Sequence, residues 1–130
     1  MVMLVLSFVF GVKYLIDNRP GYYKNKAESF RVRMQQYANI PEIQAWMAQR
    51  TKPVKTVDVS PEEWPECLKK IPHPNFSVSF DGKVLDLEEG SGFGHWGMRV
   101  GIPGTRPGKN FREEYQLPFT DDAYVYHEVQ

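Results

Sequence analysis

The strongest constraint on this chain lies in its second half, at residues 76–104, where apolar and polar residues alternate around a turn and then around glycines. Phe76, Val78 and Phe80 alternate with Ser77 and Ser79, the period-two signature of a strand with one buried face. Asp81-Gly82 follows at once, a dipeptide that accepts the positive φ of a two-residue hairpin turn. Folding about that pair sets Lys83 opposite Phe80, Leu85 opposite Val78 and Leu87 opposite Phe76. The apolar side chains then meet on one face, and the fold must cover it.

Residues 90–97 contain the pattern G-x-G-x-x-G, from Gly92 to Gly97. In a dinucleotide site that pattern opens a helix whose N-terminus faces the pyrophosphate. Here Trp96, Met98, Val100 and Ile102 alternate with Gly97, Arg99 and Gly101, so the segment continues as a strand and the dinucleotide reading falls. Gly97 and Gly101 instead bare one strand face for another backbone or a large ring.

Residues 1–16 set the expected location. They are apolar apart from Ser7 and Lys13, and twelve residues precede the first charge. Sixteen helical residues reach roughly 24 Å, short of the ~30 Å hydrocarbon core. Lys13 can snorkel to the interface, and Tyr14 suits the headgroup zone. A signal peptide would need a charged n-region and a small-residue cleavage site, which this run lacks. A core strand or core helix of a soluble fold is the other alternative. We take the run as a membrane anchor.

Basic residues follow the run at Lys13, Arg19, Lys24, Lys26, Arg31 and Arg33, against Asp17 and Glu28, and none precedes it. The positive-inside bias predicts a single-pass membrane protein with its C-terminal domain on the cytoplasmic side. The same charges could form a polybasic skirt on anionic headgroups. The chain as a whole is balanced, with 16 basic and 16 acidic side chains. That argues against a nucleic-acid partner bound through bulk charge. The single cysteine, Cys67, excludes an internal disulfide framework and a cysteine-rich zinc site.

Asn18-Arg19-Pro20-Gly21 is turn chemistry and separates anchor from domain. From Lys26 the period turns helical, with Ala27, Phe30, Met34, Tyr37 and Ala38 on one stripe. Pro41 ends that helix and opens a second, whose stripe is Ile43, Trp46 and Met47. Residues 54–59 suit a short strand. Ser60-Pro61-Glu62-Glu63 has the capping-box form, although Pro65 would remove a needed donor and moves the expected helix start to itself. Trp64, Cys67, Leu68 and Ile71 share one face there, with Cys67 read as a small buried apolar residue. After a loop at residues 103–110, the segment 111–119 is ambiguous and carries Pro118. Residues 123–129 close the sheet, with Tyr124 and Tyr126 on one face and Val125, His127 and Val129 on the other.

Catalytic signals are thin. His73, His95 and His127 stand in no metal-ligand spacing. Convergence of His95 and His127 on neighbouring strands, with Asp121 or Asp122, is the one route to a metal or acid–base site. Glu88-Glu89 and Glu113-Glu114 are neighbours that point to opposite strand faces, so they form no shared-proton dyad. No G-x-S-x-G or H-E-x-x-H occurs. The loop carries Arg106 and Lys109, with Arg112 just beyond, as anion-contact candidates.

The expected fold is α+β: an anchor helix (1–16), a basic linker (17–26), and one domain (27–130) of two or three short helices and a mostly antiparallel sheet of four or five strands. The expected function is a membrane-tethered binding or assembly module without catalysis of its own. It would use no metal or cofactor and engage a protein partner through Phe93, His95, Trp96 and Arg99. One alternative is a small enzyme with its site at the 90–97 turn, using His95. Another is a soluble module with residues 1–16 in its core or at a self-association surface.

Overall fold

A computed structural model describes residues 21–91, 94–109 and 114–129 of the chain. The expected anchor helix at residues 1–16 lies outside the described residues. Helix α1 spans Tyr22–Tyr37 and α2 spans Ile40–Gln49. Strand β1 is Val57–Asp58, followed by a 3-10 turn at Pro61–Glu63 and the single-turn helix α3 at Glu66–Lys69. Then come β2 (Ser77–Phe80), β3 (Val84–Ser91), β4 (Gly94–Gly101), β5 (Glu114–Thr120) and β6 (Ala123–Val129).

The six strands form one antiparallel sheet in the order β1-β2-β3-β4-β6-β5. The α+β class and the antiparallel sheet are as expected, but the sheet exceeds the four or five strands read from the sequence. The strand that alternation does not reveal is β5. Pro118 lies within it, and a proline inside a strand ordinarily counts against one. Because β5 is a sheet edge, Pro118 has no second neighbour to donate to, and the register shifts between Pro118 and Thr120.

The hairpin forms, with a corrected register. Phe80 pairs with Leu85 and Val78 with Leu87, two residues away from the expected pairing. Asp81 is not a central turn residue. Its Oδ1 accepts from the Lys83 and Val84 amides at 2.8 Å each, which moves the turn onto Gly82-Lys83 with Gly82 at φ 96°. A two-residue slip keeps every side chain on its face, so the apolar match survives.

Helix α1 begins at Tyr22, ahead of the apolar stripe that starts at Ala27, because Tyr23 is also buried. It lies across β4, β6 and β5, while α2 touches β4. Asn39 caps α2 by accepting from the Glu42 amide at 3.0 Å. Ser60 makes no side-chain cap to the 3-10 turn that follows it, and α3 starts just past Pro65. Phe30, Met34, Ile43, Leu68, Phe80, Leu87, Met98 and Val125 close the core. Trp64 stacks on Phe76 with centroids 5.0 Å apart, and Phe30 meets that ring edge-on. Each such side chain contributes about 1.5–3 kcal/mol by leaving water. Trp46 is half-buried, edge-on to Phe80, with its Nε1 donating to the Glu63 carbonyl.

Candidate functional site

Strand alternation assigns two chemistries to the two sheet faces. Leu85, Leu87, Met98, Val100 and Val125 face the helices. Register then places Ser79, Asp86, Arg99 and Tyr124 in one row of the opposite face, and Ser77, Glu88, Gly97 and Tyr126 in the next. The third row holds Gly90, His95 and Glu128.

Arg99 is the hub of that face and is only 7% exposed. Its Nη1 donates to the Tyr124 hydroxyl at 2.9 Å, and its Nη2 donates to Glu128 Oε1 at 3.0 Å. Its Nε lies 3.6 Å from Asp86 Oδ2. The guanidinium also sits 3.9 Å from the centre of the Tyr126 ring, a cation–π contact in a desolvated setting. Tyr126 in turn donates its hydroxyl to Asp86 Oδ1 at 2.9 Å. Gly97 makes room for this arrangement. A Cβ there would lie 2.9 Å from both the Leu87 carbonyl carbon and the Tyr126 hydroxyl, and closer still to the Leu87 oxygen. The glycine spacing thus serves a ring and a backbone, as read from the sequence.

The loop at residues 102–109 folds back over this face. Tyr124 donates to the Gly108 carbonyl at 2.9 Å. The Arg106 guanidinium lies 4.9 Å from the Tyr124 ring and donates to Gln116 at 2.7 Å. Between the loop and the sheet a cleft of about 200 Å³ remains, with Asp86 and Arg99 on its wall beside Thr56, Ser79 and Asp81. Burial pushes the Asp86 carboxyl up to about 6, opposed by Arg99 and by the Tyr126 hydrogen bond. Burial and the neighbouring Asp86 push the Tyr126 hydroxyl far above its ordinary range.

Of the residues singled out from the sequence, His95 and Arg99 share this face, and Trp96 points to the other. His95 is part-exposed with Nδ1 3.2 Å from Glu88 Oε1. Trp96 donates Nε1 to Glu89 Oε2 at 2.8 Å and tilts against Tyr23 at 6.2 Å. Arg106 and Lys109 belong to the covering loop, exposed to solvent. Phe93 and Arg112 lie outside the described residues.

The two histidines do not converge. His95 pairs with Glu128, whereas His127 pairs with Trp96, which puts them on opposite faces. His127 is buried against Tyr115, rings 4.8 Å apart and nearly parallel, and its Nδ1 has no hydrogen-bond partner among the described residues. Burial, with Lys24 nearby, lowers its affinity for a proton. Asp122 is at the far end of the sheet, accepting from Gln44 at 2.9 Å. Among the described residues no group of three or more histidines, cysteines and acids could hold a metal ion. Cys67 is buried, its thiol pushed up to about 11 by burial and by Glu42.

Sequence reasoning missed Asp86, Tyr124, Tyr126 and Glu128 as a group. Each sits at an alternating strand position, but their meeting depends on registers between strands up to 42 residues apart along the chain, from Asp86 to Glu128. Compared with protein-family models, with curated proteins and with solved structures, the chain matches none.

Proposed function

We propose that this chain is a membrane-tethered binding or assembly module without catalysis of its own, held by residues 1–16 with its C-terminal domain on the cytoplasmic side. The observation that carries the non-catalytic reading is the closure of the polar face upon itself. Arg99 is engaged by Tyr124, Glu128 and Asp86, and Asp86 by Tyr126. Groups joined in that way hold a sheet face rigid rather than exchange protons with a substrate. A protein partner would then meet the parts of the domain that remain at the surface, including His95 and the loop with Arg106 and Lys109.

The tether rests on the apolar run and the basic residues after it. No helix among the described residues is long and apolar enough to cross a membrane. The test is carbonate extraction of membranes carrying the full chain, beside the variant Leu4→Arg/Phe8→Arg. Each arginine costs about 2.5–3.5 kcal/mol near a bilayer centre, so the variant moves to the soluble fraction while the parent stays in the pellet. A parent released by carbonate would sink the tether.

The enzyme alternative draws on one observation, the pairing of part-exposed His95 with Glu88, which resembles a base and its orienting carboxylate. It also needs a reacting group beside His95 in a pocket. A His95→Ala variant that keeps its stability but loses a turnover present in the parent would favour it.

A further inference from the structure

Helix α1 and strand β4 run in the same direction, so both start at one pole of the domain. A Cβ on Gly94 would lie 2.5 Å from the Tyr23 ring and 2.9 Å from the Glu128 carbonyl oxygen. The start of α1, the start of β4 and the end of β6 therefore meet there. The opposite pole holds Gly101, whose amide donates to Asp122 and whose carbonyl accepts from Gln44, and the β2–β3 turn. The described residues begin at this first pole with Gly21, and the four residues that separate it in sequence from the apolar run could span at most about 14 Å if fully extended.

The chemistry of the first pole suits one kind of surface. Lys24 and Lys26 are exposed there, and neither forms a salt bridge among the described residues. The Lys26 amine lies 5.6 Å from the Tyr22 ring and 5.9 Å from the Trp96 ring, a cation held between two amphipathic aromatics. The acids of the same region are engaged, Glu88 by His95 and Glu89 by Arg33 and Trp96. Free lysines beside tyrosine and tryptophan, within a short reach of an apolar segment, fit the headgroup layer of an anionic bilayer.

We infer that this pole, with Tyr22, Lys24, Lys26 and Trp96, rests on an anionic lipid surface and fixes the orientation of the domain. The inference depends on the tethered reading of residues 1–16. With the pole at the membrane, the covered polar face stands upright to the bilayer and the β2–β3 and β5–β6 turns point away from it.

The test uses the full chain in vesicles, labelled with a fluorophore at Ser77→Cys or at Asp121→Cys, with an energy acceptor on the lipid headgroups. Cys67 is buried and stays unlabelled. The two sites differ by roughly four residues along the strands, about 14 Å. In phosphatidylserine-containing vesicles, transfer from position 77 should exceed that from position 121 by about twofold for that spacing. The difference should vanish in phosphatidylcholine vesicles and in the Lys24→Glu/Lys26→Glu variant, whose exposed positions leave the fold intact. Equal transfer from both sites with the chain still vesicle-bound would overturn the orientation and leave the tether standing. A chain that does not join vesicles at all would remove both.

Discussion

Gly97→Ala measures how tightly the polar face is built. Gly97 has no positive φ among the described residues, so the substitution carries no backbone strain and its cost is steric. An added Cβ would overlap the Leu87 carbonyl oxygen and lie 2.9 Å from the Leu87 carbonyl carbon and from the Tyr126 hydroxyl. Ordinary contact begins near 3.4 Å, and neither neighbour is the free end of a flexible chain. Leu87 is backbone of β3, and Tyr126 is held by Asp86. Relief requires β3 and β4 to part, at about 1–3 kcal/mol for overpacking and about 1 kcal/mol for each ladder hydrogen bond weakened. The restricted unfolded chain returns less than about 1 kcal/mol. The net expectation is a loss of about 3 kcal/mol, a large share of the ~5–15 kcal/mol typical of a domain. In urea, with a slope near 1.5 kcal/mol/M, the midpoint falls by about 2 M. Gly108→Ala, where a Cβ meets nothing within 4 Å, is the matched control and should leave the midpoint almost unchanged. A Gly97→Ala midpoint within about 0.5 M of the parent, a shift worth under 1 kcal/mol, would refute the close approach.

Three further outcomes are expected. Asp86 holds its proton up to about pH 6 in the fold against 3.8 ordinarily, so the native state binds more protons in that window. Stability therefore falls as pH rises from about 4 to 6, by up to about 3 kcal/mol, and Asp86→Asn should flatten that slope in urea titrations across the range. His127 has the opposite sign: its lowered proton affinity gives stability that is present above pH 6.5 and is lost as pH falls. His127→Phe keeps the ring against Tyr115 and removes the unpartnered Nδ1, so it should stabilise by about 1–2 kcal/mol, with a wider margin at pH 5.5 in thermal melts. Cys67, with its thiol near 11, should resist iodoacetamide at pH 8 in the native chain and react fully in urea. Labelling of the native chain at the denatured rate would contradict its burial.

How far the sequence could be read depended on whether a feature was local. Alternation around Ser77 and Ser79 identified a strand because face and period are set within five residues. Its register was off by two because the turn centres on Gly82-Lys83, with the Asp81 amide donating to the Val84 carbonyl and the Asp81 carboxylate accepting from the Lys83 and Val84 amides. The stripes of α1 and α2 were legible, but the first turn of α1 was not, since Tyr23 packs against Gly94 far along the chain. Strand β5 was hidden by Pro118, which only an edge position explains. The polar face was readable in halves. Arg99 with Gly97, and Tyr124 with Tyr126, each fell on one side of its own strand, but nothing local says which sides join. That the same alternation separates His95 from His127 became visible only once β4 and β6 were paired.

The two sheet edges limit how copies of this domain can add to one another. At one margin β1 is two residues long, too short to template a neighbour. At the other, Pro118 offers no amide, its carbonyl accepts from Arg31 at 3.3 Å, and the pairing register shifts just after it. Neither margin is a ready template for strand-by-strand growth, even though six antiparallel strands would otherwise invite it. Crowding many copies together should therefore favour reversible side-to-side encounters over cross-β aggregation. Replacing Pro118 with a residue that donates would remove one of those safeguards.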